Sequence, residues 1–227
     1  MQLINFLKRV RKTFLTNYRR TYYSQFGEDT ILRELLGKKR GGFYVDVGCY
    51  HPKKFSNTYM LHKQGWSGVN IDMEEEKIAL FRLARPNDFN KVAAVSDVRQ
   101  QVTVRRDRRH SLGSTIVPGL LAKEDPSLET LSVETRTLDE ILGQSPWSGQ
   151  EIDVISIDCE GHDFQVLKSL SLDTYRPKVV IVESHSRDIE AIIAGPMYQY
   201  LVDRNYTLRS WMHLSLVFAL EGSYADC

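Results

Sequence analysis

The chain has 227 residues and a formal net charge of +1, with 42% hydrophobic and 26% charged residues. These are the proportions of a globular chain with a real core, and they exclude collagenous, low-complexity and wholly disordered sequences. Near-neutrality gives no reason to expect a nucleic-acid partner, and Cys49, Cys159 and Cys227 form no CxxC pair, so a reducing cytoplasm is the expected location.

The even balance conceals an asymmetry at the start of the chain. Residues 1–20 carry Lys8, Arg9, Arg11, Lys12, Arg19 and Arg20 without a single acid, a charge of +6 that leaves −5 for the remainder. On a helical wheel Leu3, Phe6, Leu7, Val10, Phe14 and Tyr18 share one side, and five of the six basic residues lie opposite. The spacing predicts a basic amphipathic helix over 1–20. Such a helix suits peripheral contact with the cytoplasmic face of an anionic membrane, a partner protein, or packing on its own domain. The basic interruptions argue against a signal peptide, and no apolar run reaches the roughly 20 residues of a membrane span. Residues 21–227 are expected to form a single domain.

From residue 41 short apolar runs alternate with helical stretches. Phe43 to Val47 reads as a buried strand ending at Gly48, residues 56–64 as a short helix opened by Ser56, and Val69 to Asp72 as a second strand. A helix from Glu74 to Arg85 stops at Pro86. Lys91 to Val95 reads as a third strand, and Gln101 to Arg105 and Leu131 to Thr135 as additional strands separated by a loop. A short helix begins at Leu138, and Ile152 to Ile157 is another buried strand. A helix follows from Asp163 to Leu170, then a strand from Lys178 to Val182. A helix over 188–203 is interrupted at Gly195-Pro196, and Tyr206 to Trp211 with His213 to Ala219 reads as a closing hairpin, Met212 near its turn. This order predicts a doubly wound α/β domain with a mainly parallel sheet and a C-terminal antiparallel hairpin.

In such a sheet, ligands bind beyond the carboxyl ends of the strands. Those ends here read Asp46-Val47-Gly48, Asp72, Asp158-Cys159-Glu160-Gly161-His162-Asp163 and Glu183-Ser184-His185. A carboxylate at the end of the second strand is placed to accept both hydroxyls of a ribose. Taken singly, Asp72 and Asp163 also suit the first turn of a helix, and His185 a strand end. Four acidic strand ends on one edge are not explained by capping. The absence of GxGxxG and of a Walker A loop argues against a pyrophosphate-bearing ligand. A nucleoside ligand without that demand fits better, and S-adenosylmethionine is one.

Several blocks in order resemble the FkbM-type S-adenosylmethionine-dependent methyltransferases. These are Tyr23-Ser24-Gln25-Phe26-Gly27-Glu28-Asp29, Val45-Asp46-Val47-Gly48, Ser56-Asn57-Thr58-Tyr59 and Gly65-Trp66-Ser67-Gly68. Thr137-Leu138-Asp139 follows, then Asp158-x-Glu160-Gly161-x-Asp163-x-x-Val166-Leu167, Arg176-Pro177 and Glu183. The resemblance covers about residues 22–186. It implies the class I methyltransferase (Rossmann-like) fold and methyl transfer, usually to oxygen. By position it implies Asp46 and Gly48 along the methionine part of the cofactor with Ser56 and Asn57 nearby. Asp72 falls on the ribose and Ser96 near the adenine. Three positions depart from the pattern: Asp72-Met73 replaces Glu-Pro, Tyr50-His51-Pro52 stands where smaller residues are common, and Asp163 replaces Glu.

Methyl transfer to a hydroxyl requires alignment of the acceptor and removal of its proton. Asp158, Glu160 and His185 are the candidates: a base drawn from Asp158 or His185, with Glu160 orienting or binding acceptor hydroxyls. A divalent cation held by Asp158 and its neighbours is the alternative, although oxygen ligands alone do not identify one. The run Arg105-Arg106-Asp107-Arg108-Arg109-His110, followed by Ser111 to Ser114, suits a clamp for a phosphate-bearing acceptor or a solvated loop. The expected acceptor is a sugar hydroxyl in a glycan or lipid-linked saccharide. A polyketide or other small natural product, and a non-catalytic binding module, are the alternatives.

Overall fold

The computed structural model describes residues 2–15, 21–107 and 128–223. The acid-free start forms helix α1 (Gln2–Leu15), and residues 16–20, with Tyr18, Arg19 and Arg20, lie outside the described residues. Helix α2 (Glu28–Leu36) was not among the expected elements. Its first residues pin the segment before it: the Tyr23 amide donates to Asp29 Oδ2 at 2.6 Å and the Phe26 amide to Glu28 Oε2 at 2.9 Å. The succession then runs β1 (Phe43–Val47), α3 (Tyr59–Lys63), β2 (Ser67–Asp72), α4 (Glu75–Ala84), β3 (Phe89–Val92), β4 (Ala94–Val95), β5 (Gln101–Asp107) and β6 (Leu128–Arg136). It continues through α5 (Leu138–Gly143), β7 (Val154–Ile157), α6 (Asp163–Lys168), α7 (Leu172–Tyr175) and β8 (Val179–Glu183). The last elements are α8 (Ile189–Ala194), α9 (Pro196–Val202), β9 (Tyr206–Met212) and β10 (Ser215–Leu220).

Seven strands form one sheet in the order β3-β2-β1-β7-β8-β10-β9. The first five are parallel, and β10 runs antiparallel to both β8 and β9. Each central strand serves two cores by alternation. Val45, Val47, Ile155, Ile157, Val180 and Val182 face one cluster, completed by Leu138, Ile141, Val166, Leu167 and Leu201. Tyr44, Val154, Val179 and Ile181 face the other, against Leu32, Leu35, Met60, Leu61 and Trp66. Helices therefore cover both faces, as a parallel sheet requires.

The run Lys91 to Val95 is not one strand. β3 pairs with β2, the Ala93 amide donates to the Asp72 carbonyl, and the chain then leaves as β4 to pair with β6 in a separate three-stranded sheet, β4-β6-β5. The helix expected over 56–64 starts later, at Tyr59, because the side chains of Ser56 and Thr58 bond within the fold instead of continuing a helix. Other starts and stops follow local chemistry. Thr137 and Glu140 form a reciprocal capping box at α5, and Gly195-Pro196 divides α8 from α9 with proline at the first helical position. Arg105 and Arg106 belong to β5, while the rest of the expected clamp, Arg108 to Ser114, lies outside the described residues.

Candidate active site

The order of strands reverses between β1 and β7, and a cavity opens over the carboxyl ends there, the position expected for a ligand. Gly48 sits at its floor with φ 75. A Cβ on Gly48 would lie 1.7 Å from the Asp158 carbonyl oxygen, so only glycine allows the ends of β1 and β7 to meet. The Gly48 amide turns to the Ile71 carbonyl at 2.9 Å and the Asp158 amide to Val47 at 3.0 Å, which fixes three strand ends around one opening.

One half of the cavity suits a nucleoside. Asp72 ends β2, and Ala93, Ala94 and Val95 supply an apolar wall. Asp72 is 6% exposed; the Glu74 amide donates to its Oδ1 at 2.8 Å and Lys77 Nζ lies 3.5 Å from its Oδ2. Burial raises its pKa to about 6, against the pull of Lys77. The carboxylate is thus held in one orientation and is anionic near neutral pH. Its placement and the apolar wall fit S-adenosylmethionine: a hydrogen-bond acceptor for the ribose and an apolar slot for the base.

The other half is acidic. Asp158 directly follows β7, Glu183 ends β8, and Glu160, His185, Gln25 and Leu214 complete the wall. Glu160 has φ 51, a conformation held by Asp163, whose carboxylate accepts from the Cys159 amide at 2.7 Å and the Gly161 amide at 3.0 Å. Burial nevertheless raises Asp163 to about 7. Asp158 opens to the cavity, but the protein packed around that opening, and next the charge of Glu160, push its pKa upward. Glu183 is raised first by burial and then by the charge of Asp158. Adjacent carboxylates that raise one another favour retention of a proton by the pair. Glu183 Oε2 is buried without a hydrogen-bond partner among the described residues and lies 3.9 Å from His185 Nδ1. Glu160, Glu183 and His185 each offer a ligand atom, all within 4.8 Å of one another, a donor set of two carboxylates and an imidazole that fits a divalent cation. The half-buried thiol of Cys159 is pushed well up in pKa by burial, which disfavours its thiolate.

Of the residues singled out in the sequence, Gly48, Asp72, Asp158, Glu160 and His185 line the cavity. Asp46, Ser56, Asn57 and Ser96 are not among its lining residues. Asp46 accepts from the Thr58 hydroxyl, and Asn57 donates to Ser156 Oγ at 3.0 Å. Ser96 Oγ sits 3.0 Å from His162 Nε2, and Val95 takes the cavity wall beside it. Ser56 Oγ accepts from Arg85 Nη2 at 3.0 Å. Arg85, which sequence reasoning did not select, is fully buried, and it also donates to the Tyr44 and Thr58 hydroxyls, Asn70 Oδ1 and the Pro52 carbonyl. Arg85 therefore ties down the segment that follows β1. That segment presents Tyr50 and Phe55 to the cavity, their rings stacked 6.5 Å apart. In the sequence Glu183 is legible only as an acidic strand end, and Lys77 carries no signal beyond its charge.

A parallel sheet reversing at β1, closed by an antiparallel β10-β9 edge and carrying this cavity, defines a Rossmann-like α/β methyltransferase fold. The Methyltransferase FkbM domain matches residues 46–208, and the chain belongs to that family. Membership implies methyl transfer from S-adenosylmethionine. The chain is similar to a TehB-like SAM-dependent methyltransferase from Corynebacterium glutamicum ATCC 13032 Kitasato, at 12% identity over 96% of this chain and 97% of that one, with a TM-score of 0.43. It is also similar to monomeric WbdD, at 16% identity and a TM-score of 0.44 over 93% of this chain, which spans 44% of the WbdD chain. No curated protein matches. Among the described residues no helix is long and apolar enough to cross a membrane.

Proposed function

We propose that the chain is an O-methyltransferase acting on a hydroxyl of a sugar, in a glycan or a lipid-linked saccharide. The observation that carries this reading is the set of Asp158, Glu160, Glu183 and His185 on the cavity wall opposite the nucleoside half. Several adjacent carboxylates match an acceptor with several hydroxyls, and a carboxylate of raised pKa is suited to take a proton near neutral pH. Tyr50 and the exposed Phe55 offer flat apolar faces at the mouth for the C–H face of a pyranose ring. Phe55 holds this place at φ 55, a conformation unfavourable for a bulky side chain, which is consistent with a role in binding and not in the core.

When bound, the cofactor supplies a methyl group on a sulfonium, a good leaving group, so the chain's own task is alignment and deprotonation. Asp72 orients the nucleoside, Glu160 accepts from an acceptor hydroxyl, and Asp158 or His185 takes the proton of the reacting one. Burial and the charge of Asp158 favour the protonated form of Glu183, which leaves Asp158 as the base. Glu160, Glu183 and His185 support a second version in which a divalent cation activates the hydroxyl.

The test is incubation with methyl-deuterated S-adenosylmethionine and a saccharide extract, followed by mass identification of the labelled product. Label on a sugar oxygen is expected. Label on nitrogen, carbon or a non-saccharide product refutes the acceptor reading. Activity lost to a chelator and restored by a divalent ion selects the metal-assisted version.

A further inference from the structure

We propose that α1 is an interfacial helix that binds an anionic lipid bilayer. Leu3, Ile4, Phe6, Leu7 and Phe14 are each between 56% and 79% exposed, so this apolar stripe does not pack on the domain that follows. At 100° per residue Leu3, Phe6, Leu7, Val10 and Phe14 fall within an arc of about 100°. Lys8, Arg9 and Lys12 stand on the other side and Arg11 at the border, with no acid anywhere in the helix. Four basic residues among fourteen oppose burial of that face in a hydrocarbon core, and among the described residues no helix is long and apolar enough to cross a membrane, so the helix is placed in the interface.

Charge decides between a bilayer and a second copy of the chain. Pairing two α1 stripes would bring two acid-free basic helices together with nothing on either to neutralise the other. An anionic bilayer satisfies both faces at once: the apolar stripe enters the headgroup boundary, and lysine and arginine stems reach up to lipid phosphates. This surface is separate from the cavity, and the proposal stands whatever the acceptor is.

The test is co-sedimentation of the full chain with phosphatidylcholine vesicles, with and without phosphatidylglycerol. Binding is expected only with the anionic lipid and is expected to weaken as salt rises. Each basic residue near an anionic leaflet strengthens binding about five-fold. Lys8→Gln with Arg9→Gln is therefore expected to weaken it about 30-fold, and Phe6→Glu with Phe14→Glu to abolish it while leaving the melting temperature unchanged. The proposal is overturned if the full chain ignores anionic vesicles at low salt or binds neutral ones equally, or if the double glutamate variant still binds. It is also overturned if that variant melts earlier, because the stripe is then part of the core, or if it dissociates a dimer, because the partner is then a second copy.

Discussion

Asp72 makes opposite predictions for binding and for stability, and both follow from its burial. The structure leaves its carboxylate oriented by the Glu74 amide and Lys77 but raises its pKa from 3.8 to about 6. That rise corresponds to about 3 kcal/mol of destabilised carboxylate above both values, a cost absent below the unfolded pKa and complete once pH passes the folded one. Asp72→Asn removes the charge, keeps the shape and leaves Lys77 its bond to Glu74 at 2.8 Å. It should therefore stabilise the unliganded protein near neutral pH by about 1–3 kcal/mol. The same change removes a charge-assisted acceptor for the ribose, and Asp72→Ala should weaken S-adenosylhomocysteine by about 1.5–3 kcal/mol, roughly 10- to 100-fold. In the wild type that affinity should fall up to ten-fold for each pH unit below about 6, where Asp72 protonates, and stay level above it. The asparagine variant should show no such slope. Calorimetry across this range, with thermal melts of the unliganded proteins, measures both effects. A wild-type affinity indifferent to pH, together with an unaffected Asp72→Ala, would remove Asp72 from the binding site.

Asp158→Asn and His185→Ala are expected to leave S-adenosylhomocysteine affinity nearly intact; whichever is the base should cut turnover roughly 100-fold or more in single-turnover assays. Arg85→Met removes the cation that acts on buried Asp46, and should cost about 3–5 kcal/mol in denaturant titrations, the usual penalty for orphaning a buried charge.

What the sequence disclosed was the part governed by local pattern. β1, β7 and β8 announce themselves as apolar runs, and an acid directly after such a run lands on the sheet edge whatever its neighbours do. That is why Asp72, Asp158 and Glu183 were legible. The split of Lys91 to Val95 was not, because both halves are extended and only the partner strand changes, at Ala93. Nor was Arg85: an arginine ending a helix before Pro86 reads as a solvated cap, and its burial depends on Tyr44, Asn70, Ser56 and Thr58 converging from separate elements. The same convergence takes Ser56 and Asp46 out of the cavity lining. The block from Tyr23 to Asp29 was visible as a motif without its mechanics. Glu28 binds Ser215 Oγ at 2.6 Å, and the Phe26 ring meets His213, which clamps the segment bearing Gln25 against the β9–β10 turn.

The two faces of the site differ in how their charge is compensated, and this yields a stability signature. Behind the wall, Arg85 offsets the charge of Asp46. Asp158, Glu160 and Glu183 on the acidic wall, with Asp163 buried behind it, act chiefly on one another, and Lys77 is the cation acting on Glu160. All four are raised in pKa, burial being the largest cause. A carboxylate raised in the folded state adds stability at low pH and loses it as pH climbs through the folded value. Groups lowered by ion pairs, such as Asp153 between Lys39 and Lys178, are already ionised and level in this range. The half-buried histidines His62 and His162 are lowered and level as well. The melting temperature should therefore fall from about pH 7 to about pH 9. Glu183→Gln should remove about 2 kcal/mol of that loss, because it replaces the carboxyl that ionises there with a neutral group of the same shape. A wild-type melting temperature flat across that range, or a Glu183→Gln variant with the wild-type slope, would show that Glu183 is already ionised at neutral pH. Asp158 would then lack a protonated neighbour, and His185 would be the stronger candidate for the base.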